Sequence, residues 1–344
     1  MDRTKTLKAF ASYVGQYDSG DPKISLKIKH TYKVAELCEK IGAAIGLEGD
    51  DLDAAWLCGM LHDIGRFEQI RQYHTFIDWK SVDHAKLSTV VLFGPKRDAD
   101  KILEALPLPC QLADFREFTD LEGYDDIVYT AVYYHSALQL PEELEERKKM
   151  YCNILRDADK LDIFRANLET SLEDIYNVTI EEIYNSEITP EVFQVFGEHR
   201  AVPKLLKKTP VDHLVGHICL TFELVYPVSR QLVKEQGYLK RICLILFQHG
   251  IYFPGQRYFF PNLWCNTQRF QYRAAKCYFI FFLRQSSCSW QTIKTFCHIF
   301  ICISDLYGKS KPFVHSSSQK NTGTISFHIF ILFYCFLQSL RIFF

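Results

Sequence analysis

The residues least like structural filler are His62 and Asp63, adjacent on a segment whose inward face runs through Leu52, Ala55, Gly59 and His62 at offsets of three, seven and ten. A buried aspartate is costly unless it is paired or bound to a cation, and a neutral imidazole beside it offers the nitrogen that suits a divalent transition metal. His30 lies on the preceding long segment in register with Val34, Leu37 and Ile41, while Lys29, Glu36 and Lys40 take the outward face. Taken alone it reads as a satisfied core histidine more often than as a ligand. Further on, Tyr151, Leu155 and Asp159 share one face by steps of four, which turns Asp159 inward and Asp157 away. Two histidines and two aspartates turned inward together shift the odds toward a functional cluster.

The elements that must position them are helices. From residue 3 to about 238 apolar residues recur at spacings of three and four with no sustained alternation, so the fold class is all-α. The spacing predicts helices over 3–16, 24–46, 51–64, 81–93, 98–106, 124–139, 142–168, 178–186, 190–197 and 210–235. Asp50 and Asp51 before Leu52, Gly65 after the Trp56–Ile64 segment, and Thr189-Pro190 supply starts and stops. The run EELEERKK at 142–149 pairs opposite charges at helical spacing and reads as a solvated face.

The 344 residues, 48% hydrophobic and 24% charged with net charge -1, exclude a disordered, collagen-like or polybasic chain. Twelve cysteines show no zinc-ribbon spacing, and the start MDRTKTLKAFASYV lacks a signal-peptide profile, so a reducing, cytoplasmic setting is expected. The averages conceal a seam. Through residue 240 there are about 29 Lys and Arg against 40 Asp and Glu, and beyond it about 11 against 1. Residues 239–344 are rich in aromatics and cysteine, lose the helical period and retain Asp305 as their single acid. Three readings compete for this tail: a second domain, a membrane segment at 325–344 interrupted by His328, Gln338 and Arg341, or translation out of the native frame. The composition favours the last, with a disordered or frameshifted extension following a domain at 1–238.

His30, His62-Asp63 and Asp159 together resemble the H…HD…D signature of the HD-domain superfamily of metal-dependent phosphohydrolases. The resemblance runs from about Phe10 to Tyr238 through the blocks KIKHTYKVAELCEKI, AAWLCGMLHDIGRFEQI, SVDHAKLS, AVYYHSAL and ILRDADKLDIF, and is similar to a bacterial subgroup of HD-domain proteins. It implies a helical bundle with a core at about 24–168 and an extension at 169–238. It also implies that His30, His62, Asp63 and Asp159 ligate one metal, with a tight helix end at Gly65 letting both members of the pair bind. Some subgroups add two histidines so that the paired aspartate bridges two metals, and His84 and His135 stand in that interval. His135 is in register with Ile127 and Ala131 and faces inward; His84 is near a helix start, where a capping or exposed place fits equally.

The chemistry so implied is hydrolysis of a phosphate ester of a nucleotide or other small phosphorylated metabolite by a metal-activated water. One or two divalent ions are expected, with manganese, iron, cobalt, nickel or magnesium suiting the donors better than structural zinc. Asp63 would serve the reaction directly, Arg66 is the candidate phosphate clamp and Lys160 the second, each with an ion-pair role as alternative. Asp157 and Asp162 would orient Arg156, Lys160 or a ligand histidine. His213 and His217, four apart but without the glutamate of a metalloprotease motif, read as structural, and His74 as a loop residue facing water. The acidic balance of 1–240 argues against nucleic acid as partner, and a membrane role would require 325–344 to be genuine. Rival readings on the same scaffold are a di-iron oxygenase and a nucleotide-sensing module without turnover.

Overall fold

A computed structural model of the chain describes residues 1–95 and 100–248, all within the compact unit Met1–Phe253. Among the described residues every regular element is a helix. The first, α1 (Arg3–Val14), is capped by Asp2, whose carboxylate accepts from the Thr4 amide, and lays Phe10 and Tyr13 edge-on against Phe67. Helix α2 (Pro22–Ala44) opens with the Asp21 cap and Pro22 at its first turn, where the missing amide has no intrahelical partner to lose. It buries a stripe through His30, Val34, Leu37, Cys38 and Ile41 against α3 (Gly49–Leu61).

Residues 62–64 form a tight turn, and α4 (Gly65–Tyr73) follows it at once. Helix α5 (His84–Phe93), whose Asp83 cap accepts from the amides of Ala85 and Lys86, packs on α4 and on α8 (Asp125–Tyr134). Between α5 and α8 lie the short helices α6 (Asp100–Ala105) and α7 (Phe115–Phe118). Helix α9 (Glu146–Glu169) is the axis of the fold and packs on α2, α3 and α8. Between Tyr151 and Asn167 most of its side chains are buried, including Arg156, Asp157, Lys160, Asp162 and Arg165, and charged groups survive in such a place only with partners.

The extension adds α10 (Leu172–Tyr176), α11 (Ile180–Asn185), α12 (Pro190–Gly197), α13 (Pro210–Cys219), α14 (Pro227–Gln236) and α15 (Tyr238–Gln248). Helices α13, α14 and α15 return to α9, so the extension closes over the same central helix.

Several elements differ from the spacing. The segment expected as one helix at 51–64 stops at Leu61, and Gly65 is not its terminator: it has no positive φ and opens α4 instead. A Cβ there would lie 2.5 Å from the backbone nitrogen of Ser88, so glycine is required by the approach of α4 to α5. The segment 210–235 is two helices, split by a 3-10 turn at Leu220–Glu223 and by Pro227. The helix expected to 139 ends at Tyr134, and the one expected from 142 starts at Glu146. The helix expected at 98–106 begins in residues outside the described set and is seen from Asp100.

The tail also begins differently from the sequence expectation. Residues 238–248 form α15, which packs on α9 and buries Leu239, Ile242, Cys243 and Leu246. Residues 249–344, with the 325–344 segment and the question of reading frame, lie outside the described residues. No described helix is long and apolar enough to cross a membrane.

Candidate metal centre

Two of the histidines stand at helix ends. His62 follows the last residue of α3 and His135 the last residue of α8, where the final carbonyls of a helix lack amide partners. Each ring takes up one of them: His62 Nδ1 donates to Gly59 O at 2.8 Å and His135 Nδ1 to Val132 O at 2.7 Å. The other two are held by carboxylates. His30 Nδ1 is 2.7 Å from Asp162 Oδ2, and His84 Nδ1 is 2.9 Å from Asp78 Oδ1. Both carboxylates are held in turn, Asp162 by Arg165 and Asp78 by Arg66, Gln69 and Lys204. With all four Nδ1 atoms engaged as donors, all four Nε2 atoms present lone pairs inward.

Those atoms converge on Asp63, whose side chain is 2% exposed. Its Oδ2 lies 3.6 Å from His30 Nε2 and 3.4 Å from His62 Nε2. Its Oδ1 lies 3.6 Å from both His84 Nε2 and His135 Nε2. Asp63 thus stands between two compact donor groups, His30–His62–Asp63 and Asp63–His84–His135, all buried. Asp159 Oδ1, on the inward face of α9, is 3.1 Å from His30 Nε2 and 3.9 Å from His62 Nε2, and joins the first group.

The arrangement fits divalent cations on its own chemistry. Asp63 Oδ1 is buried without a hydrogen-bond partner among the described residues. His84 Nε2 and His135 Nε2 are 3.1 Å apart, and His30 Nε2 and His62 Nε2 3.3 Å apart, which sets lone pairs against each other unless positive charge lies beside them. Burial, with the nearby Arg66 charge, pushes His84 down to about 4, and burial lowers His62, so both rings stay neutral and able to ligate. Burial also opposes ionisation of Asp63, yet the Lys27 ammonium holds its carboxyl well below the usual range. Four imidazole nitrogens and two carboxylates suit borderline divalent metals of the first transition row.

Of the other residues singled out in the sequence, Arg66 reaches the centre: its buried Nε has no hydrogen-bond partner and lies 3.6 Å from Asp63 Oδ1, while Nη1 is fixed by Gln69 Oε1 at 2.6 Å and Phe76 O at 2.8 Å. Lys160 does not. Its ammonium is 3.2 Å from Glu223 Oε2, a carboxylate oxygen that also faces Arg156 at 3.9 Å, so Lys160 is an ion-pair partner rather than the clamp expected from the sequence. Among the described residues Asp157 pairs with no cation or histidine; it accepts the amides of Val225 and Tyr226 at 3.0 Å and so pins the entry to α14. Asp162 does orient a histidine, His30. His84 is buried at the start of α5, the capping carboxylate being that of Asp83. His74 is exposed and ends α4 in the left-handed region, with φ of 54°. His213 and His217 both pack on the Tyr176 ring.

Two participants were missed in the sequence. Lys27 Nζ is 2.6 Å from Asp63 Oδ2, and its place three residues before His30, one helical turn along α2, was the available signal. Asp78 sits in a 3-10 turn at Asp78–Lys80, and no periodicity links it to His84.

Comparisons with curated proteins and with solved structures gave no match. A scan against family models matched residues 28–163 to the HD domain, an interval that begins just before His30 and ends just after Asp162. The His/Asp centre lies wholly within that interval, so the residues that match the HD-domain model are those that build the centre.

Proposed function

We propose that this protein is a metal-dependent phosphohydrolase that cleaves a phosphate ester of a nucleotide or another small phosphorylated metabolite. The observation that carries the reading is the position of Asp63, one oxygen facing His30 and His62 and the other facing His84 and His135. Such a carboxylate suits a pair of divalent ions, whether manganese, iron, cobalt, nickel or magnesium, and ions so placed acidify water and offset charge on a phosphoryl group. The chain's own residues do the rest. Asp162 and Asp78 hold His30 and His84 in ring orientations that leave Nε2 free. Lys27 and the unpartnered Arg66 Nε put positive charge beside Asp63, where the equatorial oxygens of a phosphoryl group gain negative charge in the transition state. The acidic excess of residues 1–240 favours a small substrate over a nucleic-acid backbone.

The test is phosphate release by the full chain from a panel of nucleotides and sugar phosphates with each metal added, using Asp63→Ala as blank. Release that disappears in the variant supports the reading. No release from folded, metal-loaded protein, together with substrate-dependent oxygen uptake after loading with iron, would replace hydrolysis by oxygenase chemistry.

A further inference from the structure

The extension carries a cluster of donors that the centre does not use. Lys207 folds back over α13 so closely that a Cβ on Gly216 would lie 2.6 Å from its Nζ. On the same helix His213 and His217 stand one turn apart, with both rings against Tyr176 at centroid distances of 5.7 and 5.8 Å. His217 Nδ1 is 2.8 Å from the Tyr176 hydroxyl and 3.1 Å from Asn167 Nδ2, so Nδ1 is engaged within the fold, whereas Nε2 has no hydrogen-bond partner among the described residues. Lys207 Nζ likewise has no hydrogen-bond or ion-pair partner among them. The nearby acids are engaged elsewhere: Asp212 accepts from Thr189 and from the amides of Lys208 and Thr209, and Glu223 faces Lys160 and Arg156.

A half-buried ammonium beside two imidazoles, with no anion of its own, is a poor arrangement for stability alone. Burial pushes Lys207 down to about 8, and burial with the Lys207 charge pushes His213 down to about 4, as expected of cationic groups lacking a counter-charge. The cluster borders the centre on two sides. Lys204, three residues before Lys207, is 2.7 Å from Asp78 Oδ2, the carboxylate that holds His84. His217 contacts Asn167, about 12 Å along α9 from Asp159.

We infer that Lys207, His213 and His217 form an oxyanion subsite, outside the residues matched to the HD domain, that takes a phosphate group. Resting on the phosphohydrolase reading above, it assigns the substrate a second phosphoryl group, held by α13 while the first lies at Asp63. Neutral imidazoles donate single hydrogen bonds and the ammonium supplies the charge, a set that matches the several acceptor oxygens of phosphate.

The test is calorimetric titration of the full chain with inorganic phosphate in the presence of a chelator, so that the His/Asp centre cannot hold the anion through metal. The wild type and Asp63→Asn are expected to bind phosphate alike. Lys207→Met should weaken binding at least tenfold, and Gly216→Ala should do the same by displacing the ammonium without removing it. Lys207→Arg, which keeps the charge, should retain binding and serves as the control for folding if the other variants are unstable. Wild-type affinity in Lys207→Met, or the absence of phosphate binding in the wild type, overturns the inference. Because no turnover is read, loss of the hydrolase reading through an inactive but phosphate-binding chain remains separately visible.

Discussion

Gly59 lies against Ala35 so closely that a Cβ on the glycine would sit 2.6 Å from the Ala35 Cα, and this contact between α3 and α2 sets how near His62 comes to His30. The same glycine offers its carbonyl to His62 Nδ1, so one residue fixes both helix spacing and ring orientation. Gly59→Ala should therefore cost about 1–3 kcal/mol through overpacking. It should also weaken metal binding, because the His30 and His62 nitrogens would be pushed apart. Chemical denaturation checks the first effect and metal titration the second; unchanged values for both would show that the helices separate freely.

The two faces of Asp63 make the metal stoichiometry a diagnostic. The wild type is expected to bind two ions; His135→Ala removes one donor of the second group alone and should leave one. Asp63→Ala removes the residue common to both groups and should lose both. The measurement is metal content per chain after gel filtration; retention of two ions by Asp63→Ala would contradict the shared-ligand geometry.

The holding of His84 by Asp78 should be visible at a distance from the metal. Asp78→Ala frees the ring and removes the acceptor shared by Arg66, Gln69 and Lys204. Affinity for the second ion should fall by about 10- to 100-fold, with the first ion less affected. Stepwise titration resolves the two.

Glu68 provides a stability test remote from the centre. It is fully buried and accepts from Tyr17, Arg71 and Gln72; burial opposes its ionisation, but these partners win and hold it below its ordinary value of 4.5. A depressed carboxyl stabilises the folded chain above the unfolded value, and that contribution disappears as pH falls through the folded value. Glu68→Gln should cost about 2 kcal/mol at pH 7. The difference from wild type should shrink below about pH 4.5, as read by urea midpoints at several pH values. A gap independent of pH would point to packing rather than charge.

The packing of α15 makes residues 239–248 part of the folded unit. A chain ending at 238 would uncover the surface of α9 that Leu239, Ile242, Cys243 and Leu246 bury. A chain ending at 248 should be more stable than one ending at 238 by at least about 3 kcal/mol, since each fully buried apolar side chain contributes roughly 1.5–3 kcal/mol. Thermal unfolding of the two fragments decides it.

The sequence by itself determined the helical class, the inward stripe bearing His30 and the position of Asp159, because each depends on a 3.6-residue period within one helix. It also placed His62, Asp63, His84 and His135 in the order that pointed to the HD domain. It did not determine which helix would follow His62-Asp63, since Gly65 carries the same local signal whether it ends one helix or begins another; only contact with Ser88 on α5 decides. It named Lys160 as a phosphate clamp because that lysine adjoins Asp159, and it passed over Lys27. Lys27 shares the His30 face of α2 and reaches Asp63, while Lys160 pairs with Glu223. Asp78 and the unpartnered Lys207 were equally hidden, because their meaning lies in contacts between segments with no common period. Helical periodicity reports which way a side chain points, whereas its partner across the core is fixed by tertiary packing alone.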